Sequence, residues 1–143
     1  MKLNLFIDNE REEEIIIYAK EKTQLIEEIE ELVANNSKQI IGFKDKEASY
    51  LNINDIFAFI VEDSKIFAIT EKSRYLLKCR LYSLNETLPN NFVKISQSSI
   101  INFNKIKSFS TAISGTIIVN LTNGYTDFVS RRNIKNIKER LGL

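Results

Sequence analysis

The sequence predicts an α+β, β-rich fold of short antiparallel strands, with an N-terminal β-β-α extension and a short C-terminal helix. Three observations support this class. Short runs rich in Ile, Phe and Tyr are separated by Asp, Asn, Ser and Gly through the middle and end of the chain. Two stretches, one near each end, carry apolar residues at helical spacing. A single proline and four glycines argue against long linkers, so 143 residues predict one domain with at most a small appendage.

The first 37 residues are predicted to form the β-β-α extension, which is acidic. Strands are expected at Lys2–Ile7 and Glu14–Ala19, with a turn at 8–10 between them. An amphipathic helix is expected over Thr23–Asn35, with glutamates on its solvent-exposed face. Its apolar stripe would pack either on the protein's own sheet or against a second copy.

The rest of the chain, residues 38–143, is predicted to be one strand-rich domain. Its strands are expected at Gln39–Phe43, Ala48–Leu51, Ile56–Val61, Lys65–Thr70, Tyr75–Arg80, Phe92–Ile95, Ile100–Asn102, Lys105–Thr111, Thr116–Leu121 and Tyr125–Val129. Hairpin turns are expected at Glu62–Lys65 and at Asn123-Gly124, the latter with positive φ at both residues. One or two helical turns are expected over Tyr82–Thr87, and Cys79 is expected to be a small buried hydrophobe.

The charge is strongly polarised although the whole chain carries only +1. Residues 1–37 hold four Lys/Arg and ten Asp/Glu, a balance of 4 − 10 = −6. Residues 94–143 hold eight Lys/Arg and two Asp/Glu, a balance of 8 − 2 = +6. An asymmetry of this kind indicates a polyanionic partner for the basic end, and nucleic acid is the usual one.

The last helix is predicted to begin with two arginines. Ser130 is the expected N-cap, and Arg131 and Arg132 fall in the first turn, where acidic residues would be more stable. Free backbone N–H groups beside two guanidinium groups suit a phosphate or a guanine edge. The alternative is a solvated charged face, but the basic excess begins upstream at Lys94 and favours anion binding.

Several function classes lack their usual residues. The chain has no histidine, so it lacks the usual general base and transition-metal ligand, and its glycines form no phosphate-binding loop. No cofactor, metal or small-molecule substrate is therefore expected, and the protein is not expected to be an enzyme. The single cysteine suits a reducing compartment, and no segment has the length of a membrane span, so a cytoplasmic location is expected.

Two C-terminal blocks resemble the LytTR DNA-binding domain of bacterial response regulators. The first is Phe92–Asn102, with an aromatic residue, a base, serines, a hydrophobic pair and Asn in the family's order. The second is Leu121–Gly124, followed by Val129-Ser130-Arg131-Arg132 and the short helix. The resemblance covers roughly residues 37–143 and implies LytTR-like sheets. It also implies a sequence-specific transcriptional regulator that reads promoter repeats through loops inserted in successive major grooves.

The resemblance implies that three regions reach double-stranded DNA. They are the hairpin tip at Ser64 and Lys65, the kink at Ser96, Gln97 and Ser98, and the helix start at Ser130, Arg131 and Arg132, with Lys94 and Lys135 as further contacts. Gln97 can pair with an adenine edge and Arg132 with guanine, whereas lysines and hydroxyls suit phosphates. Asn102 is expected to satisfy backbone groups.

The resemblance is to the small stand-alone members of the family, since residues 1–37 are too few for a receiver domain. It implies a homodimer on DNA and, as in some such regulators, restraint by a membrane protein encoded nearby. The alternative function is a protein-interaction module of the same fold that pairs with or sequesters another regulator. The basic loops, which such a module would not need, favour DNA binding.

Overall fold

The computed structural model describes residues 1–12, 14–36 and 40–142, and these contain three helices and ten strands. The helices are α1 (Gln24–Asn36), α2 (Leu81–Thr87) and α3 (Arg131–Arg140). The strands are β1 (Ile40–Lys44), β2 (Glu47–Leu51), β3 (Ala58–Glu62), β4 (Lys65–Ile69), β5 (Arg74–Leu77), β6 (Phe92–Ser96), β7 (Ser99–Asn102), β8 (Ile106–Thr111), β9 (Ile117–Leu121) and β10 (Thr126–Phe128). The predicted β-rich α+β class is confirmed, as are the predicted short helix α2 and the C-terminal helix.

The strands form two antiparallel sheets. The larger sheet has the order β2-β1-β5-β4-β3-β7-β6, and the smaller has the order β10-β9-β8. Strands β3 and β4, β6 and β7, and β8 and β9 are sequential hairpins, which close after short turns. Helix α3 packs against β6 and so covers that edge of the larger sheet.

Both faces of the larger sheet are covered. On one face, a buried cluster joins Ile95 and Ile101 to Val119 of the smaller sheet and Ile137 of α3. All four side chains are fully buried, so this cluster fixes α3 and the smaller sheet against β6 and β7. On the other face, α2 contributes Leu81 and Leu84 to a second cluster.

Asn102 has the structural role predicted for it. Its side chain, 1% exposed, donates to the Ile56 carbonyl at 2.9 Å and accepts from the Asn104 N–H at 3.0 Å. The same oxygen accepts from the Asn91 amide at 2.9 Å. The end of β7 is thereby tied to the segment before β3 and to the segment before β6.

Both predicted hairpin turns form, but one of them differs from expectation in which residues have positive φ. At the β3–β4 turn, Asp63 (φ 52°) and Ser64 (φ 62°) are both left-handed. At the β9–β10 turn only Gly124 (φ 89°) has positive φ, so the prediction of two such residues is wrong there. The Asn123 side chain instead donates to the Thr70 carbonyl at 3.1 Å and accepts from the Tyr125 N–H at 3.0 Å, which fixes the turn without left-handed strain.

The two N-terminal strands predicted from the sequence do not form. The residues described in Lys2–Ile7 and Glu14–Ala19 lie outside the strands of both sheets, although a turn follows Asp8 and α1 lies one residue from its predicted bounds. Leu3 and Ile7 are more than 90% exposed. A strand pattern predicts a strand only where a neighbouring strand completes its hydrogen bonds, and these segments have no neighbouring strand.

Cys79 also departs from its prediction. Strand β5 ends at Leu77, and the Cys79 thiol is exposed beyond it rather than buried within it. Among the helices of the described ranges, none combines the length and apolar character that a bilayer crossing requires.

Candidate nucleic-acid interface

The β3–β4 turn presents the first predicted contact region. Glu62 pairs with Lys65 across the two-residue turn, and Ser64 and Lys65 are exposed. Glu62 also accepts from the Arg74 guanidinium at 2.8 Å, an exposed ion pair. This pairing leaves the Lys65 ammonium as the free cation of the turn.

The β6–β7 turn presents the second region. The Gln97 side chain is exposed at its tip. Ser96 is 6% exposed, and its hydroxyl accepts from the Ser98 N–H at 3.2 Å. Of the predicted residues in this turn, Gln97 and Ser98 are accessible, whereas Ser96 holds the turn in shape.

The start of α3 presents the third region. Ser130 occupies the predicted N-cap position, but its hydroxyl does not cap the helix and instead accepts from the Asn133 amide at 2.7 Å. Arg131, Arg132 and Lys135 are exposed. The Asn133 N–H donates to the Ser130 carbonyl at 2.9 Å instead of to the Ser130 side chain, so two arginines stand at a helix start that no side chain caps.

Two backbone hydrogen bonds bring these three regions together. The Val61 N–H donates to the Ser98 carbonyl at 2.8 Å, which sets the β3–β4 turn beside the β6–β7 turn. The Ser130 N–H donates to the Ile95 carbonyl at 2.8 Å, which sets the start of α3 beside β6. The three regions are therefore neighbours at one end of the larger sheet, and we call them the reading edge.

Lys94 lies apart from the exposed tips. It is half-buried in the middle of β6, opposite Ile100 of the second core cluster, whereas α3 packs on the first cluster. Its predicted contact would thus come from the opposite face of the sheet.

A set of partly buried hydrogen bonds around Asp127 supports the residues of the reading edge. Ser99, 2% exposed, donates its hydroxyl hydrogen to Asp127 Oδ2 at 2.5 Å. The Tyr125 hydroxyl donates to the same oxygen at 3.1 Å, and the Phe128 N–H donates to Asp127 Oδ1 at 2.8 Å. Burial, together with the nearby Asp127 charge, raises the pKa of Tyr125 well above its usual range, so this phenol remains a donor.

The Asp127 group joins the two sheets beside the proposed contacts. Ser99 follows the β6–β7 turn, whereas Asp127 lies on β10, three residues before Ser130. Asp127 therefore links the second region to the strand that leads into the third. The sequence offered one weak signal for it, an isolated acid within a strongly basic segment.

The described residues contain no group of three or more His, Cys, Asp or Glu side chains that could hold a metal ion. The polar groups of the reading edge are cations, an amide, hydroxyls and backbone N–H groups, together with the exposed carboxylates of Glu62 and Asp63 in the β3–β4 turn. Apart from the carboxylates, these are donors or cations. Such groups are suited to phosphates and base edges.

The larger architecture matches a solved structure, the LytTR DNA-binding domain of a methyl-accepting/DNA response regulator from Bacillus cereus. The TM-score is 0.69 at 20% sequence identity, and the match covers 74% of this chain and 99% of that one. At this identity the match shows the fold.

Two relatives from Staphylococcus aureus match along the full chain. Both bear the name "HTH-type transcriptional regulator", one from strain NCTC 8325 / PS 47 at 37% identity and one from strain MSSA476 at 36%. Each match covers 100% of this chain and 99% of the relative. In the described part of this chain, however, α2 and α3 are separated by five strands, so no helix-turn-helix is formed there.

A family model for the LytTR DNA-binding domain matches residues 46–142, which include all three regions of the reading edge. The family match, the full-length relatives and the shared architecture agree, and the chain belongs to the LytTR family of DNA-binding domains.

Proposed function

We propose that this protein is a transcriptional regulator that binds promoter repeats in double-stranded DNA through the reading edge. The observation that carries the proposal is the adjacency of three exposed polar connections, joined by the Val61–Ser98 and Ile95–Ser130 backbone bonds. A loop tip and a helix start that lie side by side can follow one face of a duplex into the major groove.

The proposed roles follow from side-chain chemistry. Gln97 and Arg132 are the base-reading residues, since amide and guanidinium groups form paired bonds with adenine and guanine. Arg131, Lys65, Lys135 and Lys94 neutralise phosphates, and Ser64, Ser98 and Ser130 add hydroxyl donors. Ser96 contributes by shaping the turn that presents Gln97.

Two copies on DNA are part of the proposal, because repeats offer one site to each copy. DNA binding also places the protein in the bacterial cytoplasm, where promoters lie. Restraint by a membrane protein encoded nearby stays a prediction from the family resemblance.

Selection of bound sequences from random DNA tests the proposal directly. We expect enrichment of one short motif, repeated at a fixed spacing near an integral number of helical turns. The selected motif and a shuffled copy should then be compared by fluorescence anisotropy at moderate salt. Failure to enrich any motif, or equal affinity for the selected and the shuffled duplex, would falsify the proposed function.

A further inference from the structure

The N-terminal segment, residues 1–36, exposes far more apolar surface than the rest of the protein. Eleven of its large apolar side chains are at least 43% exposed, among them Phe6 at 87%, Ile16 at 62% and Leu32 at 62%. The 103 residues of the described range 40–142 contain five such side chains. Exposed large apolar side chains concentrated in one segment commonly mark an interaction site.

The DNA-binding domain does not use this surface. Neither of the two core clusters includes a residue from 1–36, and the solved LytTR domain is matched over 99% of its length by 74% of this chain. Ile26 is the buried residue of the N-terminal segment, beside a cleft that Ile15 and Ile17 also line. The N-terminal segment is therefore a partly packed unit attached to a complete domain.

We infer that the N-terminal segment packs against the same segment of a second copy, and that this contact forms a dimer. The inference rests in part on the proposed function, in which repeats bind two copies. A surface that each copy carries can be complementary to itself about a two-fold axis.

The area available matches what a stable dimer requires. A large apolar side chain offers on the order of 100 Å² or more of accessible surface, so eleven of them, mostly more than half exposed, offer several hundred Å² to about 1,000 Å². A standard interface buries about 800 Å² on each partner. Full coverage of the segment by a second copy would thus reach the ordinary size of a stable interface.

The charges of the segment indicate which surface would be covered. Leu25 and Leu32 lie seven residues apart on α1 and share one face, while Glu27, Glu28 and Glu31 are exposed. Lys22 pairs with Glu30 at 3.0 Å, which partly compensates the acidic side. Apolar contact along the Leu25–Leu32 face would leave Glu27 and Glu31 in water, while Glu28, three residues after Leu25 and four before Leu32, would border the contact at its rim.

The same charge disfavours two other occupants more strongly than it disfavours a second copy, whose carboxylates can stay in salt-screened water at the rim of the contact. A balance of −6 over residues 1–37 would be repelled by the phosphates of DNA and by the anionic lipids of a membrane surface. The N-terminal segment should therefore lie away from the duplex and remain free to join two copies.

Sedimentation velocity on the full chain tests the dimer across the micromolar range. The double variant Ile16→Glu/Leu32→Glu places two charges in the proposed contact, and should raise the dimer dissociation constant by a factor on the order of 100. The matched control is Ile113→Glu, because Ile113 is fully exposed at the β8–β9 turn and lies outside the segment. We expect the control to dimerise like the native chain, and all three proteins to show the same thermal unfolding at concentrations low enough for each to be monomeric.

Binding to duplexes with one or two copies of the selected motif separates the dimer from DNA recognition. The double variant should keep its affinity for one motif and lose the gain that the native chain shows on two. A dimer that binds no preferred DNA would support the dimer and remove the proposed function. A native chain that stays monomeric, pairs only with a different protein, or dimerises as well when doubly substituted would overturn the inference.

Discussion

At the scale of single residues, the reading edge combines exposed side chains, which are the proposed contacts, with buried side chains that hold the turn. Gln97 and Arg132 are exposed, whereas Ser96 and Ser99 are buried and hydrogen-bonded. The exposed residues were found from chemical type and family position. The Ser99–Asp127 pair was not found, since its members are 28 residues apart and meet only after both sheets have formed.

Replacement of Arg132 should reduce sequence preference more than it reduces affinity in general. A paired guanidinium–guanine contact contributes about 1–3 kcal/mol of discrimination between bases. Arg132→Ala should therefore reduce the ratio of the affinities for the selected and the shuffled duplex by about tenfold or more. Fluorescence anisotropy on both duplexes measures this ratio. Lys138→Ala is the matched control, because it removes an exposed cation from the last turn of the same helix. An unchanged ratio for Arg132→Ala would assign base reading to another residue.

Removal of the Asp127 carboxylate should loosen the reading edge. Asp127→Ala leaves the Ser99 hydroxyl, which is 2% exposed, without its acceptor and should cost about 1–3 kcal/mol of unfolding free energy. Urea denaturation measures that cost. Tyr125→Phe, which removes one donor and keeps the carboxylate, should cost less. If the two variants were equally stable, Asp127 would not be the centre of the group.

At the scale of elements, the strand pattern predicted the fold where strands have neighbours. Strands β1 to β10 lie within a few residues of their expected positions, because alternating apolar residues there face a filled core. The same kind of pattern failed at Lys2–Ile7, where no adjacent strand is present. The β9–β10 turn was correctly located, but its backbone was not, since the bond from Asn123 to Thr70 joins residues 53 positions apart.

The junction around Asn102 provides a test at this scale. Asn102→Ala removes bonds to Ile56, Asn91 and Asn104 and leaves the buried Ile56 carbonyl unpaired, so it should lower the unfolding free energy by about 2–4 kcal/mol. Urea denaturation again gives the value. Asn104→Ala, at an exposed position in the next turn, should change stability by less than about 0.5 kcal/mol. A small effect at Asn102 would mean that the strand ends are held by packing alone.

At the scale of the whole molecule, charge polarity sets how the protein meets DNA. Residues 94–143 carry +6 and residues 1–37 carry −6, so in the proposed complex long-range forces should orient the chain with its reading edge toward the duplex. The polarity was readable from the sequence. The adjacency of the three polar connections was not, because it depends on the strand order β3-β7-β6 and on where α3 docks.

Salt dependence reports how many phosphates the reading edge neutralises. If Lys65, Lys94, Arg131 and Lys135 each neutralise one phosphate, the logarithm of the affinity per copy should fall with the logarithm of salt at a slope of about −3.6. Anisotropy titrations between about 50 and about 200 mM KCl measure this slope. Lys135→Ala should reduce its magnitude by about 1, and Lys20→Ala, an exposed cation of the N-terminal segment, should leave it unchanged. Equal slopes for Lys135→Ala and the native chain would place Lys135 outside the interface.

The backbone bonds from Val61 to Ser98 and from Ser130 to Ile95 have a consequence for how such regulators diverge. Both bonds join backbone groups only, so the arrangement of the three regions does not depend on the side chains of Gln97 and Arg132. Exchange of those side chains should therefore alter the preferred operator while the protein keeps its stability. One framework can in this way serve promoters of different sequence within a single genome.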